Sequence, residues 1–220
     1  MKKKLVLGGA LVLLAALMAW GTWAYFVKDV HVTNVITTGT INITLNDHME
    51  GATVSQDGSV ATLTGVMPGV TVEKTVSVSN DDAETAGDAW IRVKVDTAVT
   101  GADGQPMDDT FTSGGAAEPV VQISFAGDGK WIQEKDASGA PTGYYYYATP
   151  LTRGEQTVDL FNAVTLNKLL PNPYQGCQVD IAVSAQAVQV KNNNRNSDGS
   201  IITELTAGTL SAVKGWPAEN

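Results

Sequence analysis

Residues 91–96 read Ile91-Arg92-Val93-Lys94-Val95-Asp96, and residues 179–188 read Val179-Asp180-Ile181-Ala182-Val183-Ser184-Ala185-Gln186-Ala187-Val188. In both, β-branched or small apolar side chains take every second place. A period of two puts the apolar set on one face of a strand, so each segment is expected to be a strand with one side turned to a core. The same alternation recurs in Ile41, Ile43 and Leu45, in Val70, Val72, Val76 and Val78, and in Val121, Ile123 and Phe125. Shorter candidates are Ala61-Thr62-Leu63, Trp131-Ile132, residues 144–147 and residues 157–166. Turn chemistry separates them, as at Asp57-Gly58, Met67-Pro68-Gly69 and Asp128-Gly129. Proline presets φ at such places and glycine accepts a positive φ. Repeated alternating strands between Gly and Asp turns predict an all-β chain folded as a two-sheet sandwich.

Two regions break the alternation. Residues 97–119 are rich in Gly, Ala, Asp, Thr and Ser and hold Pro106 and Pro119. They are expected to form a long loop or insertion with a helical turn near 107–111, and loops of that length are often functional. Residues 203–214 place Leu205, Leu210 and Val213 on one side of a short helix, although Gly208 weakens it. Both would be short peripheral helices. Four tyrosines in a row, Tyr144, Tyr145, Tyr146 and Tyr147, put two on each face of a strand. One reading is core plus a hydrated outer face. The other is an aromatic surface for matrix polysaccharide or a neighbouring subunit.

The N-terminus has a different grammar. Lys2, Lys3 and Lys4 precede an uncharged run from Leu5 to Trp20, closed by Gly21-Thr22-Trp23-Ala24. Small residues at the last and third-last places, after a basic and then an apolar region, describe a secretory signal peptide over residues 1–24, cut between Ala24 and Tyr25. Its apolar core falls short of the roughly 20 residues of a membrane span. The alternative is an uncleaved anchor, and membrane contact is expected only through it. Residues 25–220 are expected to form one domain, since no Pro/Ser-rich linker divides them.

The chain carries 14 basic and 23 acidic side chains; without Lys2, Lys3 and Lys4, 11 basic ones remain and the formal charge moves from −9 to −12. Nucleic acid and anionic lipid need basic patches and are disfavoured as partners. The lone Cys177 excludes an intramolecular disulfide and is expected to pack as a small hydrophobe. A chain of this length can bury a sufficient core without one.

Catalytic signals are sparse. His31 and His48 belong to no His-Glu-x-x-His arrangement, and no Gly-x-Ser-x-Gly elbow occurs. One stretch has metal-like spacing: Asn194, Asn196 and Asp198 alternate before Gly199, as oxygen ligands do in the first half of a calcium loop. The twelfth place holds Leu205 where a bidentate Glu is expected, with Glu204 one residue early. A solvated turn is the alternative. No other cofactor is expected.

The N-terminal Met1-Lys2-Lys3-Lys4, its Leu/Ala/Gly core and Gly21-Thr22-Trp23-Ala24-Tyr25-Phe26 resemble a SipW-type signal of Gram-positive bacteria. Asn34-Val35-Ile36-Thr37-Thr38-Gly39-Thr40-Ile41-Asn42-Ile43 resembles the first mature strand of the TasA/camelysin family, and Ala185-Gln186-Ala187-Val188-Gln189 its last core strand. The resemblance is specific at these two ends and loose between them. It implies a jelly-roll form of the sandwich, a dedicated signal peptidase, and an extracellular or cell-surface location. It also implies self-association into biofilm-matrix or surface fibres by donation of the mature N-terminal strand to the next subunit. Residues 25–45 would be the donor, with Val30, Val32, Ile36, Ile41 and Ile43 as its anchors. The rival implication is a camelysin-like metallopeptidase, for which these residues offer no zinc motif. A surface module for carbohydrate or protein is a third reading.

Overall fold

In the computed structural model, residues 35–37, 41–50, 53–54, 61–62, 67–81, 87–126, 129–191, 193–196 and 198–217 are described, with 35–37, 53–54 and 61–62 as backbone alone. The compact unit to which they belong is His31–Asn220. The expected signal segment, the Ala24/Tyr25 cleavage point, Val30 and Val32 lie outside the described residues.

The chain is all-β. Its strands are β1 (Val35–Thr37), β2 (Ile43–Met49), β3 (Thr53–Val54), β4 (Ala61–Thr62), β5 (Thr71–Asn80), β6 (Ala89–Thr100) and β7 (Pro106–Met107). There follow β8 (Thr110–Ser113), β9 (Ala116–Pro119), β10 (Val121–Phe125), β11 (Trp131–Lys135), β12 (Pro141–Tyr147), β13 (Phe161–Leu166) and β14 (Gln178–Gln189). One sheet has the order β1-β14-β6-β12-β11, with β7 added on β6; a second has the order β10-β13-β5-β2. β3 pairs with β4, and β8 with β9, as separate hairpins.

The two alternating segments that open the reading of the sequence become the spine. β6 and β14 pair antiparallel over twelve residues, from Gln178 opposite Thr100 to Gln189 opposite Ala89. Their inward set, Ile91, Val93, Val95, Val183, Ala185 and Ala187, is buried against Ile43 and Leu45 of β2, Val76 and Val78 of β5, and Phe161 of β13. The second sheet thus packs on the first, and burial of each of the valine, isoleucine, leucine and phenylalanine side chains contributes about 1.5–3 kcal/mol. Just before and on the outward side of β2, Asn42 and Thr44 donate to the Asp81 carboxylate at 2.8 and 3.1 Å.

The inward row of β5 is not apolar throughout. Lys74 follows Val78 and Val76 along it, is 3 % exposed, and pairs with Asp47 of β2. A buried ammonium needs such a partner, because an unpaired charge there is strongly destabilising. At the other end of the row Asn80, 1 % exposed, donates to the Gly87 and Leu151 carbonyls at 3.0 and 2.9 Å.

The tyrosine reading needs correcting. Tyr145 and Tyr147 enter the core between the sheets, while Tyr144 and Tyr146 point outward, yet all four are less than 10 % exposed. The C-terminal chain covers the outer pair: Ile202, Leu205, Leu210 and Val213 pack with Trp90, Tyr144, Tyr146 and Val188. Residues 144–147 therefore form no aromatic platform on the surface. The helix expected over 203–214 is replaced by turns and one 3-10 turn, Leu210–Ala212. Thr206 and Thr209 explain the change: the Thr206 N–H donates to Thr209 Oγ1 at 2.8 Å and the Thr209 N–H to the Thr206 carbonyl, a local pattern that competes with helix.

Residues 97–119 are not a loop with a helical turn. β6 runs on to Thr100, β7 returns along it, and β8 and β9 form a hairpin turned by Gly114 and Gly115. Both glycines have positive φ, 59° and 86°, as a tight two-residue hairpin requires. The hairpin carries Phe111 into a third buried cluster with Val99 and Val120.

Candidate strand-acceptor edge

β14 has β6 on one side along its whole length, but its other side meets β1 only at Val35–Ala185, Ile36–Gln186 and Thr37–Ala187, in parallel. Among the described residues, positions 178–184 have no strand on that side. An unpaired row of backbone donors and acceptors is a template for another strand.

Beneath that open row lies a cleft of about 710 Å³. Val179 and Ile181 of β14 face Val70, Val72 and Leu166 across it, and Met49 at the end of β2 borders it. No charged side chain lines it among the described residues, in a chain of net charge −9. Along the inner rows of β2 and β5, the Asp47–Lys74 pair stands between the filled core (Leu45, Val76) and the cleft (Met49, Val72). Filled core thus gives way to a charge pair and then to unfilled apolar space. Cys177 also lines the cleft, half-buried and unpaired with another cysteine. Burial pushes its thiol up, which disfavours the nucleophilic thiolate.

The expected donor residues divide. Ile36 lies in β1, opposite Gln186 of β14. Ile41 and Ile43 are 4 % and 3 % exposed within this chain's own core, and β2 is laddered to β5 from Ile43–Asn80 to Met49–Lys74. Those two side chains fill the core of the chain that carries them, because β1 lies in the first sheet and β2 in the second.

The calcium candidate is held by its own hydrogen bonds. Arg195 bridges to Ile201, the Asn196 N–H donates to the Ser200 carbonyl at 2.9 Å, and Gly199 turns the chain at φ 84°. Asp198 Oδ1 accepts from the Ser200 N–H at 2.9 Å and from its hydroxyl at 2.6 Å, which holds the carboxyl below the usual range. The Asn194 carbonyl accepts from the Ile202 N–H at 2.7 Å. Asn194, Asn196 and Asp198 thus serve a hairpin turn in this structure. No group of three or more His, Cys, Asp or Glu side chains converges among the described residues.

Sequence reading singled out the strands that wall the cleft but not the cleft itself. Which side of β14 stays open is decided by sheet order, and alternation within one strand carries no record of that. No family model, no curated protein and no solved structure matches the chain.

Proposed function

We propose that this chain is a secreted structural protein, the subunit of an extracellular matrix or cell-surface fibre of the TasA/camelysin kind, assembled by N-terminal strand donation after signal removal. The jelly-roll variant of the sandwich, a Gram-positive source and a dedicated signal peptidase belong to the same proposal. The observation that carries it is the juxtaposition of an unpaired stretch of β14, residues 178–184, with a charge-free cleft lined by Val70, Val72, Val179 and Ile181. Strand addition needs both parts: backbone groups for affinity and pockets for alternate side chains. β1 supports the same reading, being a three-residue parallel strand at the sheet edge that leaves most of β14 uncovered. A donated segment would come from residues 25–40, ahead of the core residue Ile41.

The test is electron microscopy of chain 25–220, concentrated from purified monomer, beside the precursor and beside a chain lacking residues 25–36. Filaments from the 25–220 chain alone are expected, with the shortened chain a folded monomer. Filaments of unchanged length from the shortened chain would overturn strand donation. A second pair of variants, Val72→Lys and Ile181→Lys, places charge in the cleft. Each is expected to stop elongation while leaving a monomer with native β signal in circular dichroism.

A further inference from the structure

Around Trp90, Tyr144, Tyr146 and Val188 the outer face of the six-stranded sheet is covered by a single length of chain. Its root is Asn193, whose carbonyl accepts from Trp90 Nε1 at 3.0 Å. The Asn193 side chain then holds the far end: its Nδ2 donates to the Lys214 carbonyl at 2.6 Å, and its Oδ1 accepts from the Lys214 N–H at 2.8 Å. One amide thus ties two points 21 residues apart. Within the loop so closed, the backbone bonds are mostly internal, such as Ile202 to Asn194 and Ala212 to Thr209. Among the described residues, one backbone bond runs from the loop to the sheets, from the Leu205 N–H to the Ala148 carbonyl at 2.6 Å. Beyond the clip, Trp216 lies 4.7 Å over the Arg92 guanidinium and edge-on to Tyr146 at 5.5 Å. Its Nε1 is buried with no hydrogen-bond partner among the described residues.

We infer that residues 194–216 are a cover that opens as one unit, keyed by the Asn193 clip, without unfolding of the sandwich beneath. The β6–β14 ladder shares twelve pairs, whereas the cover is joined to the sheets by side-chain packing and one backbone bond. Segments with few backbone bonds to the rest of a molecule open at lower free energy than its core ladders. Arg92 also donates to Gln186 Oε1 at 2.7 Å and to the Tyr146 hydroxyl at 3.0 Å, so it stays ordered and charged on the sheet when Trp216 leaves. The opened molecule presents Trp90, Tyr144, Tyr146 and Arg92 together on one face.

The test is amide hydrogen exchange on the full chain, read residue by residue. In the native chain the amides of Ile202, Leu205, Ala212 and Lys214 are expected to exchange at least about tenfold faster than those of the β6–β14 ladder. Asn193→Ala is expected to speed that set by about a further tenfold, with the ladder unchanged, as loss of two hydrogen bonds would. Trp216→Ala should move the same set. A single common rate for cover and ladder in the native chain would overturn the inference, as would variants that speed both sets together. If neither variant folds, the native-chain comparison decides alone.

Discussion

On its inner face the six-stranded sheet meets another sheet; around Trp90, Tyr144 and Tyr146 its outer face meets one length of chain clipped at Asn193. Strand β12 belongs to both environments, since Tyr145 and Tyr147 face inward and Tyr144 and Tyr146 outward. Equal burial therefore conceals unequal support. Inward tyrosines sit in a core whose two walls are laddered, Phe161 being edge-on to Phe125 and Phe125 stacked on Tyr145 at 4.8 Å. The outward ones are sealed by residues that owe their place to packing. Exposure alone would rank Phe161 (0 %) and Leu205 (2 %) as equivalent core residues; connectivity separates them.

The largest expected effect tests that separation directly. Phe161→Ala should lower global stability by about 3–5 kcal/mol, the usual cost of an aromatic removed from a closed core. Leu205→Ala should cost less than the roughly 2–5 kcal/mol typical of a buried leucine, because the cover can lift rather than hold a cavity. Urea denaturation of both variants checks this, and equal penalties would break the comparison.

A middle-sized effect is expected where the two faces share backbone. Gly143 has φ +85°, and a Cβ there would stand 3.0 Å from the Val95 carbonyl oxygen. Gly143→Ala should cost at least about 1–2 kcal/mol from the left-handed conformation alone. Because Tyr144 follows directly, near-ultraviolet circular dichroism should change for inner and outer tyrosines together. A change confined to one face would sharpen the comparison by showing that β12 can shift on one side only.

The smallest effect appears at alkaline pH. Burial pushes the Tyr145 and Tyr146 phenols up from their ordinary value, with Gln133 and Arg92 respectively opposing the rise. A phenol whose folded value is raised ionises first in the unfolded chain. Its contribution is fully present below the unfolded value near 10 and is lost as pH rises through the folded one. Thermal unfolding between about pH 8 and pH 11 should therefore show stability falling at the alkaline end. Tyr145→Phe and Tyr146→Phe should each flatten part of that fall. If only one does, a single face accounts for the alkaline loss.

The legible parts of the fold were those in which one face of a strand is buried and the other is not. β14 shows this well: Val179, Ile181 and Val183 alternate with polar or small neighbours, and the strand forms over Gln178–Gln189. Residues 144–147 carry no alternation because both faces are covered, so burial of the outer pair has no local signature. Leu205, Leu210 and Val213 are recognisable as apolar, and all three are buried. Their helical reading failed because the Thr206–Thr209 turn satisfies the backbone locally. In 97–119, composition suggested a loop, but Gly114 and Gly115 are the residues that a tight hairpin demands. The candidate edge was the least legible feature. The inward row Val78, Val76, Lys74, Val72 is continuous in sequence, and only the register with Asp47 shows where the core stops.

The β6–β14 spine has a kinetic corollary. It joins positions on the order of 80–100 residues apart in the chain, so its closure carries the entropy of a very long loop before any pair is rewarded. Chains dominated by such distant contacts fold slowly. Here the delay has a definite end point, because β14 comes last in chain order among the described strands and pairs with β6 along its whole length. Until then the valine-rich face of β6 remains without its longest partner.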